Sequence, residues 1–268
     1  MTEVILLKLG GSLITEKARR ETSRPEVIAR LAEEIARAAA RIPQRLVLGH
    51  GSGSFGHAAA HEHGIAGGAG GGGLLSPAQL LGISLTQERA AALHREVAAA
   101  LTAAGLSPFS IAPSSCVVLE AGRPAGFFGE PLLHALRNGL LPVVYGDVVM
   151  DRSQGVAICS TERALEIVAR FLPEQGLLVR RALWAGETDG VYDAAGQTCP
   201  HLSAEDFESV AIDSPAAGTD VTGGMRHRID TALVLARRGI HSRLFNGLIP
   251  GLLERALLGE TVPGTEIL

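Results

Sequence analysis

Short apolar runs that stop at glycine turns, each followed by a stretch of helical spacing, constrain this chain more than any other feature. Val4 to Leu9 (VILLKL) stops at Gly10-Gly11-Ser12, and Pro25 to Arg41 then carries Val27, Ile28, Leu31 and Ile35 at helical spacing. Arg45 to Leu48 is apolar again before His50-Gly51. A continuous apolar run reads as a buried strand, and the turn residues bound it. The alternation continues with helical Pro77 to Ala104, strand-like Pro142 to Tyr145, helical Thr161 to Phe171, strand-like Leu177 to Val179, helical Met225 to Arg238 and strand-like Ile240 to Phe245. This order predicts an α/β fold, a three-layer αβα sandwich around a mainly parallel sheet. Pro108 to Gly129, with Val117-Val118-Leu119, a turn over Glu120 to Pro124, and Phe127-Phe128, reads as a β-hairpin inserted into that order.

Composition narrows the function classes. The chain has 268 residues, 46% hydrophobic and 19% charged, enough to bury a core without disulfides and expected to form a single domain. A net charge of -4 supplies no field for a nucleic-acid backbone or an anionic membrane, so neither is expected as a partner. Cys116, Cys159 and Cys199 are far apart with no C-x-x-C spacing, which fits a reducing cytoplasm and suggests no zinc site. The N-terminus lacks the basic region of a secretory signal. The uncharged window Gly64 to Gln87 carries eight glycines and Pro77 and is not read as a membrane span. Its Ala66 to Gly73 stretch (AGGAGGGG) reads as a surface loop rather than a phosphate cradle.

Lysine usage points to the chemistry. Of 24 basic residues 22 are arginine, and the two lysines, Lys8 and Lys17, flank the first glycine turn. An ammonium is a compact charge on a flexible stem that can follow a moving phosphoryl group, whereas a guanidinium is a planar fork suited to fixed oxyanions. Lys8-Leu9-Gly10-Gly11-Ser12 puts a cation at the end of a strand, where open α/β sheets bind ligands, followed by two residues whose amides can approach an anion closely. The turn is neither a Walker A sequence nor a first-strand dinucleotide fingerprint.

A second turn, His50-Gly51-Ser52-Gly53-Ser54-Phe55-Gly56-His57, offers three glycines, two hydroxyls and two imidazoles as donors to an anion. His57, placed on a first helical turn, can aim its ring at that anion. His57, His61 and His63 lack the carboxylate or cysteine spacing that would complete a metal site, so no protein-held metal is expected. Further signals are Gly146-Asp147 after a strand, Glu187-Thr188-Asp189-Gly190 after another, and Ser160-Thr161-Glu162, which is either only a helix cap or a functional group. Thr219 to Met225, containing Gly223 and Gly224, opens the last long helix with Arg226 and Arg228 in its first turn. Cations there are unfavourable unless an anion shares the site.

Together these segments resemble the amino acid kinase superfamily, and within it the isopentenyl phosphate kinases. The likeness runs over Lys8 to Ser12 with Lys17, His50 to His57, Val143 to Asp147, Asp189 to Tyr192, Asp220 to Met225 and Gly264 to Ile267. The resemblance implies a three-layer αβα fold, commonly a homodimer, with the phosphoryl acceptor held by about residues 1–150 and ATP by about 151–268. It implies transfer of the ATP γ-phosphoryl group to an isoprenoid monophosphate, with Mg2+. Lys8, Lys17, His57 and Glu162 would be catalytic. Gly51, Gly56, His57, Ile83 and Thr161 would hold the acceptor, with Leu80 and the hairpin also candidates for its apolar tail. Lys8, Gly10, Gly11, Ser12, Ser52, Glu187, Asp189, Gly223, Gly224 and Arg228 would hold ATP. The chain departs from the family pattern in three places: Arg228 replaces a lysine, Glu162 an aspartate, and Glu187-Thr188-Asp189 stands for Asp-Val-Asp. Each keeps charge and changes reach. The alternatives are a kinase of another small phosphate or phosphonate such as fosfomycin, or a nucleotide-binding regulator that kept the fold without turnover.

Overall fold

The computed structural model of the chain describes residues 2–65, 69–70, 74–193, 195–203 and 223–268, with the backbone alone at 57–58, 69–70 and 223. Thirteen strands occur among the described residues: β1 (Glu3–Leu9), β2 (Arg45–His50), β3 (Ala69–Gly70), β4 (Pro108–Ile111), β5 (Val117–Glu120), β6 (Arg123–Phe127), β7 (Leu141–Tyr145), β8 (Asp147–Asp151), β9 (Gly155–Cys159), β10 (Leu178–Gly186), β11 (His201–Leu202), β12 (His241–Asn246) and β13 (Thr265–Ile267). The helices are α1 (Gly11–Ile14), α2 (Pro25–Ala39), α3 (Gly53–Glu62), α4 (Pro77–Ala103), α5 (Pro113–Cys116), α6 (Glu130–Arg137), α7 (Thr161–Glu174), α8 (Gly223–Ala236) and α9 (Leu252–Leu257).

The main sheet has the order β11-β13-β12-β10-β1-β2-β7-β4. From β12 to β4 every neighbouring pair is parallel, and β13 runs antiparallel to β12. Strand β1 shows why its sequence carries no polar alternation. Val4 and Leu6 enter one core with α7 and α8, while Ile5, Leu7 and Leu9 enter another with α1, α2, α4 and α9. Both faces are covered, which gives the three layers expected from the apolar runs. Helix α2 follows from the same logic: Pro25 starts it, and Ile28, Leu31 and Ile35 line its buried stripe. Helix α4 begins with a complete capping box between Ser76 and Gln79.

A second sheet, β3-β9-β8-β5-β6, lies beside the main one. The expected hairpin is its β5–β6 pair, antiparallel from Val117 to Phe127. The expectation that the hairpin begins at Pro108 is corrected: Pro108–Ile111 is β4, the edge of the main sheet, paired parallel to β7. A second antiparallel hairpin, β8–β9, follows β7 after the single residue Gly146. The buried Asp151 ties the two hairpins together, its carboxylate accepting from the N–H groups of Ala121, Gly122, Ser153 and Gln154.

Candidate active site

The sheet places the two glycine turns against each other. Strands β1 and β2 are parallel neighbours with Leu9 opposite His50, so Gly10-Gly11 and Gly51-Ser52-Gly53 emerge side by side. A Cβ on Gly11 would lie 2.7 Å from Gly53 N and 2.8 Å from Gly53 Cα, and one on Gly51 would lie 2.7 Å from Gly11 N. Glycine is needed at both because backbone meets backbone. On the other side of β1, β10 pairs in register up to Ala185 opposite Leu9 and ends at Gly186, followed by Glu187 and Thr188. The chain order reverses between β1 and β10, so this is the crevice where open α/β sheets bind ligands.

A cleft of about 740 Å³ occupies that edge. Lys8, Gly11, Ser12 and Lys17 line it from the first turn, and Gly51 to Ser54 from the second. Gly146, Thr161, Glu162, Glu187, Gly224 and Arg228 close it from the other strand and helix ends. Helix α7 reaches the cleft because Gly49 has no side chain. A Cβ there would meet Thr161 Cγ2 at 2.6 Å. Thr161 then donates to His50 O at 2.6 Å, and Ser160 caps α7 by accepting from Arg163 N–H at 3.1 Å. Ser160-Thr161-Glu162 is therefore a cap and more, since Glu162 points into the cleft.

The electrostatic centre is a buried cluster. Lys8 Nζ donates to Glu162 Oε1, with Lys8 only 5% and Glu162 only 6% exposed. Arg228 Nε stands 4.0 Å from the same oxygen and, though buried, has no hydrogen-bond partner among the described residues. Its guanidinium lies over the first turn: a Cβ on Gly186 would come within 2.9 Å of Nη1, and one on Gly10 within 3.7 Å of Nη2. Burial pushes the Lys8 ammonium down to about 8, with Glu162 opposing and Arg228 adding to that push. Burial also works against the Glu162 carboxylate, but Lys8 and Arg228 overcome it and hold the carboxyl at about 2. Among the described residues, two cations face one carboxylate, so this desolvated cluster is net positive. Such a cluster is built to receive an anion.

Other expected site residues lie outside the cleft wall. Gly10 supports the turn from behind, its N–H donating to Ala185 O at 2.8 Å. Gly56 packs on Ser52, whose Oγ would be 2.6 Å from a Cβ placed there. Asp189 accepts from Asn246 Nδ2 at 2.9 Å. Ile83 packs on a small apolar cluster of Ala60, Ile65, Val148 and Val156, beside Ile158, which itself lines the cleft. Leu80 is 52% exposed. The His57 side chain, the Gly223 side-chain position, the Ala66-to-Gly73 loop apart from the β3 backbone, and the motif from Thr219 to Thr222 fall outside the described residues. Asp147 faces away from the cleft, accepting from Ser114 and Val148 N–H groups. His50, read from sequence as a possible anion donor, is instead wholly buried. Sequence reasoning missed His227, which lines the cleft and pairs with Ser160 Oγ at 2.7 Å. It also missed the Arg24–Glu187 ion pair at 2.7 Å. The first sits between two flagged arginines; the second had no local signal.

The model of the amino acid kinase family matches residues 3–246. The chain belongs to the amino acid kinase family. Among curated relatives, isopentenyl phosphate kinase of Methanothermobacter thermautotrophicus is 35% identical over 98% of both chains. That of Haloferax volcanii is 31% identical, also over 98% of both. An X-ray structure of isopentenyl phosphate kinase superimposes with a TM-score of 0.79 at 32% identity, covering 99% of this chain and 100% of that one. This kinase-family membership supplies a family context for the cleft, and its cationic centre has the character that phosphoryl transfer asks of a protein.

Proposed function

We infer that this chain is an ATP-dependent kinase that phosphorylates isopentenyl phosphate, yielding isopentenyl diphosphate and ADP. The observation that carries the reading is the buried Lys8–Glu162–Arg228 cluster, net positive among the described residues, set against two interlocked glycine turns. The full-length similarity to isopentenyl phosphate kinases supports the choice of acceptor. In the reaction an acceptor phosphate oxygen attacks the γ-phosphorus, the bond to the β,γ-bridging oxygen breaks, and ADP leaves with that electron pair. A phosphate oxygen needs no strong base, so the protein contributes position and charge.

Lys8 follows the transferred group, held on course by Glu162, and Lys17 reaches the same cleft from the far side of the first turn. Gly10, Gly11 and Ser12 present or support donors for the ATP phosphates, with Ser52, Glu187, Asp189, Gly223, Gly224 and Arg228 completing the nucleotide side. Gly51, Gly56, Thr161 and His57 serve the acceptor phosphate, and Ile83 with Ile158 supplies apolar surface for its tail. On this reading about residues 1–150 form the acceptor-binding part and about 151–268 the ATP-binding part of one domain, with the first turn and Ser52 reaching across to the ATP phosphates and Thr161 to the acceptor. Among the described residues no group of three or more His, Cys, Asp or Glu side chains could hold a metal ion. Mg2+ would enter with the triphosphate and would offset charge on its phosphates. A homodimer and a cytoplasmic setting complete the reading. No disulfide joins the described cysteines, and no helix among the described residues is long and apolar enough to cross a membrane.

The test is one preparation assayed with ATP against isopentenyl phosphate, dimethylallyl phosphate, geranyl phosphate and fosfomycin. Isopentenyl phosphate should give the highest kcat/KM. A preference for fosfomycin would move the chain to the phosphonate kinases, and nucleotide binding without turnover of any acceptor would make it a regulator.

A pH effect also follows. Lys8 is charged below about pH 8 in the unliganded protein and loses its proton as pH rises through that value. Since kcat/KM reports the free enzyme, it is expected to fall above about pH 8, whereas the same limb in kcat should sit at higher pH, because bound phosphates favour the ammonium. A kcat/KM that stays level from about pH 7 to about pH 10 would contradict this role for Lys8.

A further inference from the structure

Behind the second glycine turn runs a buried line of polar side chains that the proposed reaction does not use. His50 Nδ1 lies 3.2 Å from Gly51 O, His50 Nε2 lies 3.1 Å from His94 Nδ1, and His94 Nε2 lies 2.6 Å from Ser110 Oγ. The two imidazole planes are parallel to within 9°, and the Tyr145 ring stacks on them with its centroid 4.4 Å from that of His94. His50 is wholly buried and His94 is 4% exposed.

One end of this line settles the protons along all of it. A carbonyl oxygen only accepts, so His50 Nδ1 must carry the hydrogen. In a neutral ring Nε2 is then an acceptor, so His94 Nδ1 must be the donor to it. His94 Nε2 is left as an acceptor, and the Ser110 hydroxyl must donate. Burial keeps both rings neutral: it pushes His50 down to about 3, with His94 adding to the effect, and His94 down to about 4, with Arg95 adding. Every bond in the chain thus points the same way, from Ser110 at the surface to the Gly51 carbonyl at the turn.

That carbonyl matters because of what lies across its peptide. In a trans peptide the C=O and the following N–H point in opposite directions, and the described residues contain no cis peptide. Holding Gly51 O on the His50 side therefore sends the Ser52 N–H the other way. Ser52 lines the cleft, and its N–H donates to no group among the described residues.

We propose that Ser110, His94 and His50 form a one-way hydrogen-bond chain that locks the Gly51–Ser52 peptide with its N–H toward the bound phosphate, making His50 and His94 positioning residues for phosphoryl transfer. The functional half of this rests on the kinase reading above; the proton arrangement does not. In wild-type protein, long-range 1H–15N correlation spectra at neutral pH should show both rings protonated on Nδ1 and bare on Nε2. A hydrogen on Nε2 of either ring would overturn the proposal, whether or not isopentenyl phosphate is turned over. The kinetic test uses two amides that mimic different nitrogens. His94→Asn puts an N–H donor near the place of Nδ1 and keeps the bond to His50, while His94→Gln puts its amide near Nε2 and loses it. We expect His94→Gln to raise KM for isopentenyl phosphate about 10-fold or more, and His94→Asn to recover to within about threefold of wild type. Equal kinetics for the two variants, with equal melting temperatures, would overturn the positioning role.

Discussion

Lys8→Arg is expected to lower kcat by about 10²- to 10³-fold, the loss seen when a donor to developing transition-state charge is removed. The substitution keeps the charge, so its cost isolates shape and mobility. Lys8 is enclosed beside Glu162, with Arg228 Nε already 4.0 Å from the same carboxylate oxygen. A guanidinium in its place would form a planar pair with Glu162 and stay there, instead of following the phosphoryl group between its partners. The fold should survive, since overpacking a single buried position costs about 1–3 kcal/mol. Steady-state rates beside a thermal melt separate the two effects. Wild-type kcat in Lys8→Arg would show that any fixed cation suffices at this position.

Gly11→Ala is expected to damage both stability and binding. The added Cβ would stand 2.7 Å from Gly53 N and 2.8 Å from its Cα, and neither atom belongs to a side chain that could rotate away. Separating the two turns would move the donors on both sides of the transferred group at once. The expected cost is about 3 kcal/mol, or roughly 6–12 °C in melting temperature for a chain of this size, together with a nucleotide dissociation constant raised at least about 10-fold. Gly126→Ala is the control, because its Cβ would meet only Val118 Cβ at 3.9 Å. If Gly11→Ala melts with wild type and binds nucleotide equally well, the turns do not interlock as described.

The central sheet was legible because a strand buried on both faces writes itself as an unbroken apolar run, and β1 and β2 both end at glycine turns. Their contact could be anticipated only as a shared sheet edge; the Leu9–His50 register that brings Gly11 onto Gly51 is a tertiary fact. The β8–β9 hairpin was not anticipated: the strand-like reading stops at Tyr145, and β8 begins after Gly146 alone, with no longer turn signal to announce a new strand. Lysine scarcity flagged Lys8 and Lys17, and both line the cleft. The partner of Lys8, Glu162, is 154 positions away, and Arg24 is 163 from Glu187, so no local pattern could pair either. His50 was misread for a physical reason. Its position in a donor-rich turn suggested an exposed ring, but it is the last residue of β2, and its side chain turns inward to His94.

The most direct test of the account is 31P NMR of the protein incubated with ATP, Mg2+ and isopentenyl phosphate. The account predicts loss of the isopentenyl phosphate monoester signal and the matched appearance of ADP and the coupled doublets of a diphosphate monoester, with Lys8→Arg markedly slowing the conversion. Release of inorganic phosphate from ATP while the isopentenyl phosphate signal stays constant would contradict it.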